Sequence, residues 1–254
     1  MSNYNLDFIS ESDFESHVAN TLATYNKSLK SINLKNFNSN IVDPIKLLFD
    51  KSVYKKSFED IISMELQRQR DKSNTNAIGY FHQNMFKYIK NCTVPEHGWD
   101  VIYNGKSAKI YVEMKNKHNT MNAASSQKTY MGMQNQILKT PNDYCYLVET
   151  IAPASRNITW GCSVNGEHLE HKHIRRVSMD VFYAEVTGQK DAFFKLCMQL
   201  PITIKKLLDN NSVQSVESDT VLDELKKIHP NMLYSLYLLA FKTYDGFGDL
   251  IEME

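Results

Sequence analysis

Residues 98–117 read GWDVIYNGKSAKIYVEMKNK. WDVIY and KIYVEMK alternate apolar and polar residues in the two-residue rhythm of half-buried strands, and Asn104-Gly105 between them predicts a hairpin. Along IYVEMKNK, Ile110, Val112 and Met114 share one face, while Tyr111, Glu113, Lys115 and Lys117 share the other. The reversal at the hairpin brings Glu113 back toward the end of the sheet where Asp100 lies. Two carboxylates converging there suit a hard divalent cation bound through oxygen, and a neighbouring ammonium can orient or help deprotonate a water. The competing reading is a solvated edge strand in which Glu113 pairs with Lys115 or Lys117.

Upstream of this stretch the chain reads as helices. Ser12 can cap a helix running to about Leu29, Asp43-Pro44 has the form of a helix start, and Ser57 precedes FEDIISMELQRQR. A fourth helix is expected from about Asn76 to Lys90, with Ile78, Phe81, Met85, Phe86 and Ile89 on one side. Downstream, Ser125-Ser126 opens a predicted helix, QKTYMGMQNQILK, ended by Pro141 and Asn142. YCYLVETI is a continuous apolar run of strand length, as expected of a central strand covered on both faces. Alternation from Ile158 to Val164 and the turn Asn165-Gly166 predict a second hairpin, and VSMDVFYAEV is a further strand candidate. From Gln189 onward the pattern is helical again, in DAFFKLCMQLPITIKKLL and NMLYSLYLLAFKTY, with one loose polar linker from Asp209 to Asp219. The prediction is an α/β fold, a central mixed sheet flanked by helices, in a single domain over 1–254. Its parts are a mainly helical 1–90, a sheet core at 91–190 and a helical 191–254.

The composition allows such a domain: 254 residues, 42% hydrophobic and 23% charged, with only 9 Gly and 6 Pro, exclude collagenous and low-complexity classes. No apolar run reaches the roughly 18–20 residues of a membrane span, and MSNYNLDFISESDF has neither the basic start nor the apolar stretch of a secretory signal. Cys92, Cys145, Cys162 and Cys197 form no C-x-x-C pair, so free thiols in the cytoplasm are expected. Lys plus Arg equals Asp plus Glu at 29 each, but the charges are segregated. Between Val101 and Tyr130 five lysines face one acid, Glu113, whereas eight acids face three lysines from Glu217 to Glu254. The middle of the chain is therefore the expected polyanion-facing surface.

Asp100 followed by Glu113-Met114-Lys115 resembles the motif of the PD-(D/E)xK nuclease superfamily. His97-Gly98-Trp99-Asp100 has no Pro directly before the acid, so the first half of the motif is degenerate, while the second half matches fully. With GYFHQ at 79–83, GWDVIY at 98–103 and VEMKNKHNTMNAASSQKTY at 112–130, the chain resembles the type II restriction endonucleases that cut GGNCC or GGWCC. The likeness runs from about Asn76 to Gln189 and implies a restriction-endonuclease-like fold. By resemblance, Asp100 and Glu113 bind Mg2+, Lys115 acts on the attacking water, and a phosphodiester of double-stranded DNA is hydrolysed to leave a 5′-phosphate. A homodimer matches a palindromic site, and a cognate DNA methyltransferase is a functional partner. The alternatives are a nonspecific or structure-directed nuclease of the same superfamily, and a DNA-binding module that has lost catalysis.

Around this core, Asn116, Lys117, His118, Asn119 and Asn122, then Ser125, Ser126 and Lys128, form a polar stretch suited to DNA, against a plain reading as loop and helix cap. Lys172, His173, Arg175 and Arg176 read as a phosphate-contacting or base-reading segment, with a solvated face as the alternative. His82 and Gln83 are candidates to support the metal site from behind. The histidines His168, His171 and His173 with Cys162 lack the spacing of a zinc finger. No G-x-x-x-x-G-K-[ST] or G-x-G-x-x-G stretch is present, which disfavours an ATP-driven enzyme.

Overall fold

A computed structural model describes residues 4–209, 218–242 and 250–251. The predicted linker from Asp209 to Asp219 falls largely on residues 210–217, outside the described ones. The chain gathers into two compact units, Met1–Leu22 with Ala77–Ser212, and Ala23–Asn76 with Val213–Glu254.

Among the described residues all six strands lie in the first unit: β1 (Cys92–Thr93), β2 (Val101–Asn104), β3 (Lys109–Lys117), β4 (Tyr144–Ile151), β5 (Asn157–Val164) and β6 (Glu167–Ser178). They form one mixed sheet in the order β1-β2-β3-β4-β6-β5. β2 and β3 are the antiparallel hairpin, with Asn104 opposite Lys109, β3 to β4 and β4 to β6 are parallel, and β5 closes the sheet antiparallel to β6. The hairpin turn is therefore a four-residue loop, 105–108, rather than a tight two-residue one. Gly105 is required in it, because a Cβ there would meet the Ala108 carbonyl oxygen at 2.7 Å. The second hairpin turns where expected, at Asn165 (φ 51) and Gly166 (φ 87), a pair of left-handed residues that matches the twist of the flanking strands.

Strand alternation sorts the sheet into two apolar layers. Ile110 and Val112 of β3, Tyr146 and Val148 of β4 and Val177 of β6 enter a core with Phe14, Met85, Phe86, Phe182, Tyr183 and Leu196. That layer draws on α1 (Glu11–Ser28), the end of α4 (Phe58–Met85), α6 (Met179–Thr187) and α7 (Ala192–Asp209). On the opposite face Cys145, Leu147, Trp160 and Ile174 pack with Tyr130, Met133 and Ile137 of α5 (Ala123–Lys139), with Trp99 and Tyr111 at the edge. β4 is thus covered on both faces, in keeping with its uninterrupted apolar run. This is the mixed sheet flanked by helices that the sequence pattern calls for.

Three expectations are corrected. MDVFYAEVT, expected as part of a strand, is α6: Met179, Phe182, Tyr183 and Val186 are buried at three- and four-residue intervals, and Gly188 (φ 75) caps its end. The β-branched and aromatic content suggests a strand, but only a helix puts those four side chains on one face. The helix expected at Asn76–Lys90 is instead the last part of the 28-residue α4, which ends at Met85 and passes through a tight turn at Phe86–Tyr88. No proline interrupts it, and one glycine is insufficient to break it. Finally, α5 is capped by Asn122, whose side-chain oxygen accepts from Ser125 N at 2.8 Å, so Ser125 is inside the helix.

The second unit holds α2 (Leu34–Asn38), α3 (Pro44–Tyr54), most of α4, α8 (Val221–Ile228) and α9 (Met232–Phe241). Its core is Phe37, Leu47, Ile61, Ile62, Leu66, Val221, Leu225 and Leu236. Asp43 caps α3 with Pro44 in its first turn, as read from the sequence. Arg70 ties together distant segments of this unit, donating from Nη2 to Asp219 at 2.7 Å and from Nε to the Ser28 carbonyl at 2.8 Å. No helix among the described residues is long and apolar enough to cross a membrane.

Phe182 is fully buried and meets Phe86 and Tyr146. Phe182→Ala therefore costs about 3–5 kcal/mol through lost transfer energy and a residual cavity, to be read as a fall in the urea midpoint.

Candidate active site

Asp100 stands one residue before β2, opposite the middle of β3. Its backbone N–H donates to the Val112 carbonyl at 2.9 Å and its Oδ2 accepts the Met114 N–H at 2.7 Å. Those two bonds bracket Glu113, so the acid of β3 and the acid before β2 are held together through the β3 backbone. Gln83 of α4 donates to the Asp100 carbonyl at 3.3 Å and buttresses the same residue from behind. Lys115 follows Glu113 on the same face, and its Nζ donates to Glu113 Oε1 at 2.7 Å, with both side chains between one quarter and one third exposed.

The electrostatics fit a cation. Burial raises the pKa of Asp100 and the negative charge of Glu113 raises it further, against the Met114 N–H bond and the Lys115 charge that lower it. Carboxylates that repel each other in this way offer hard oxygen donors, whose repulsion a divalent ion relieves. Among the described residues there is no group of three or more His, Cys, Asp and Glu arranged for a metal. The acids that the β2–β3 pairing brings together are Asp100 and Glu113. Glu113 and Lys115 open into a groove of about 560 Å3, lined also by Trp99 and by Ser125 and Lys128 of α5.

The residues expected to meet DNA are dispersed by strand and helix geometry. Lys117 is exposed at the end of β3, and Asn119 takes the left-handed conformation (φ 55) in the turn beyond it. Asn122 is committed to its capping bond, and Ser126 N donates to the Asn122 carbonyl at 2.9 Å. Asn116 lies on the other face of β3, beside Gly79 of α4. His82 is desolvated by burial, which lowers its pKa to about 4, and its buried Nδ1 has no hydrogen-bond partner among the described residues. Its ring meets Phe81. Gln83, not His82, reaches Asp100.

The basic segment of β6 is split by alternation. Arg175 faces the side of Tyr146, donating to Asn157 and Thr159, and lines a second groove of about 620 Å3 with Lys106, Lys172 and His173. His173 stacks on Tyr144 at 4.4 Å, while His168 sits over Gly161, where a Cβ would approach its ring to 2.5 Å. Arg176 faces the other way, toward α5, and meets Glu149 of β4. Its Nε donates to Glu149 Oε1 at 2.8 Å, and Nη2 makes a second bond to the same oxygen. Arg156 Nη2 reaches Oε2 at 2.8 Å, and His118 Nδ1 lies 2.9 Å from Oε1. The same His118 Nδ1 also lies 3.1 Å from Arg156 Nη2, so the imidazole meets both the carboxylate and one of its guanidiniums.

Sequence patterns alone single out neither Glu149 nor Arg156. The available signal is an acid inside the apolar run YCYLVETI, since a charge in a doubly covered strand needs partners. Glu149 is 1% exposed and lies directly across from Lys115 in the β3–β4 register. Burial pushes its pKa up, but the bonds from Arg176, Arg156 and His118 outweigh burial and hold it below the usual carboxylate value.

Glu149→Ala strands two guanidiniums and costs about 3–5 kcal/mol, measured by denaturation at neutral pH. Because the folded-state pKa is depressed, the carboxylate's contribution is present above its unfolded value of about 4.3. It is lost as pH falls through the folded value. The stability gap between the unaltered chain and Glu149→Gln should therefore narrow below about pH 4.

Residues 6–209 match the family model described as Eco47II restriction endonuclease. The chain is 30% identical over 233 residues to the type II restriction enzyme Sau96I of Staphylococcus aureus, covering 89% of each chain. It is also 30% identical over 212 residues to the type II restriction enzyme Eco47II of Escherichia coli, covering 80% of this chain and 88% of that one. The matched segment takes in the whole sheet together with Asp100, Glu113 and Lys115. By the extent of these matches, the chain belongs to the Eco47II restriction endonuclease family and is an enzyme of the type II site-specific class.

Proposed function

We propose that the protein cuts both strands of double-stranded DNA at a short palindromic site, GGNCC or GGWCC, with Mg2+, leaving 5′-phosphates. The observation that carries the chemistry is the clamp of Asp100 on Val112 and Met114, which holds its carboxylate beside Glu113 and Lys115. The family supports the substrate, and the relatives' type supports sequence specificity.

In this reading Asp100 and Glu113 hold the cation, which supplies Lewis-acid neutralisation of the charge that builds on the phosphate. Lys115 orients the attacking water through Nζ. The water oxygen forms the new P–O bond, the P–O3′ bond breaks, and the proton lost by water is balanced by the one gained at the departing 3′ oxygen. Gln83 holds the Asp100 backbone in place. Ser125 and Lys128, which line the groove, and the exposed Lys117 and Asn119 at the end of β3 and in the turn beyond it are assigned to phosphate and base contacts. A homodimer supplies one site per strand of a two-fold symmetric target, and a methyltransferase of matching specificity protects the host's own DNA.

A sequenced plasmid digested with and without Mg2+ tests the reading. Discrete, metal-dependent fragments whose ends map to GGNCC or GGWCC are expected, and Lys115→Ala should slow cleavage at least about a hundredfold. A smear would replace the reading with nonspecific cleavage, and binding without cleavage would replace it with an inactive module. Asp100→Asn removes the buried like charge yet can still accept the Met114 N–H. It should abolish cleavage while raising metal-free stability by about 1 kcal/mol, the usual trade at such sites, as followed by thermal melting.

A further inference from the structure

Three parallel strands, β3, β4 and β6, end on the same edge of the sheet, the edge where open α/β sheets take their ligands. On the α5 side of that edge the registers set two rows of residues: Glu113, Leu147 and Arg176 in one, and Lys115, Glu149 and Ser178 in the next. Glu149 therefore stands in the row of Lys115, on an adjacent strand about 4.8 Å away. Its oxygens are occupied by Arg176, Arg156 and His118, and Lys115 is joined instead to Glu113.

The cluster has a surplus of positive charge. One carboxylate faces two guanidiniums, and while Glu149 is 1% exposed, the Arg156 and Arg176 side chains keep 19% and 18% of their surface open. Arg176 uses Nε and Nη2 on Glu149, and Arg156 uses Nη2, so Nη1 of each guanidinium stays outside the carboxylate clasp. Arg156 is also fixed through its backbone, with N donating to Ser178 Oγ and Ser178 N donating to its carbonyl, each at 2.9 Å. A buried ion cluster of this kind adds little net stability over an apolar one, whereas a preorganised guanidinium fork is well matched to a phosphate. Arg176 lies two strands from Glu113, roughly 10 Å at the strand spacing. Consecutive phosphates of one DNA strand advance only about 3.4 Å each along the duplex axis, so a neighbour of the attacked phosphate falls within that reach.

We infer that Glu149 is a positioning residue that holds Arg156 and Arg176 as a fork for a DNA phosphate flanking the one attacked at Asp100, Glu113 and Lys115. This rests on the nuclease reading and adds to it a phosphate subsite and the residue that builds it. The fork fixes the scissile phosphate's register relative to Lys115, and the neutralised Glu149 leaves Lys115 to its partner on β3.

The test is a methylphosphonate walk. Duplexes carrying the cleavage site, each with one phosphate made neutral, are titrated with the full-length Lys115→Ala protein in Mg2+. One flanking position should weaken binding about tenfold. That loss should vanish when Arg156→Gln is added, and Glu149→Gln should reduce it. A purely structural cluster would lower the melting temperature of these variants without any position-specific coupling. Losses that multiply at every position would overturn the inference. So would a flat walk outside the scissile phosphate in Lys115→Ala alone, a result that needs no further variant to fold. If the unaltered protein neither cuts nor binds the unmodified duplex, the nuclease reading itself fails, whereas cleavage with a flat walk removes only the subsite.

Discussion

Strand β3 is shared by two hydrophobic layers, and its two-residue period cannot be changed on one side without changing the other. Ile110 and Val112 must enter the core formed by α1, α4, α6 and α7, while Tyr111 packs toward α5. A slip of one residue would invert every side chain, so burial on both faces fixes the register firmly. The polar half of the strand inherits that register: Glu113 and Lys115 must face α5, and the antiparallel return of β2 must bring Asp100 to the gap between Val112 and Met114. The geometry of the site is a consequence of packing several residues away.

Three acids at this end of the sheet are given opposite environments. Asp100 is desolvated beside Glu113, so its ionised form is disfavoured; Glu149 is 1% exposed, yet its ionised form is favoured by two guanidiniums and an imidazole. The difference separates roles. Asp100 carries a charge that its burial and Glu113 oppose, which suits the proposed role of these two acids as cation ligands. Glu149 is satisfied within the protein and organises its cationic neighbours. Lys115 stands between the two groups, bonded to one and in register with the other.

Features set by local chemistry are legible in the residues themselves: the β2–β3 hairpin, the doubly covered β4, the Asp43-Pro44 start of α3 and the Asn165-Gly166 turn. Features set by competition between local signals are not. VSMDVFYAEV carries strand-forming residues, but the four buried positions of α6 follow a helical period. Ser125 looks like a cap until Asn122, three residues earlier, takes the bond. The pairing of Asp100 with Glu113 is readable because hairpin arithmetic relates the two. Asn116 sits among residues suited to DNA in the linear order, yet alternation turns it to the other face of β3.

The family likeness and the nearness of Asp100, Glu113 and Lys115 are legible in the residues alone, because they depend on one hairpin and on a motif of fixed spacing, and the mixed character of the sheet is legible in strands whose apolar runs and alternations differ. Which cations accompany those three residues is settled by long-range packing. Arg175 and Arg176 are consecutive yet serve opposite faces, and Arg156 and Glu149 meet His118 from 38 and 31 positions away. No periodicity links those positions. The parallel crossovers that bring β3, β4 and β6 to a common edge do so through helices and loops whose lengths carry no trace of what will stand opposite what, so the partners of a buried charge emerge only when the strands are in register.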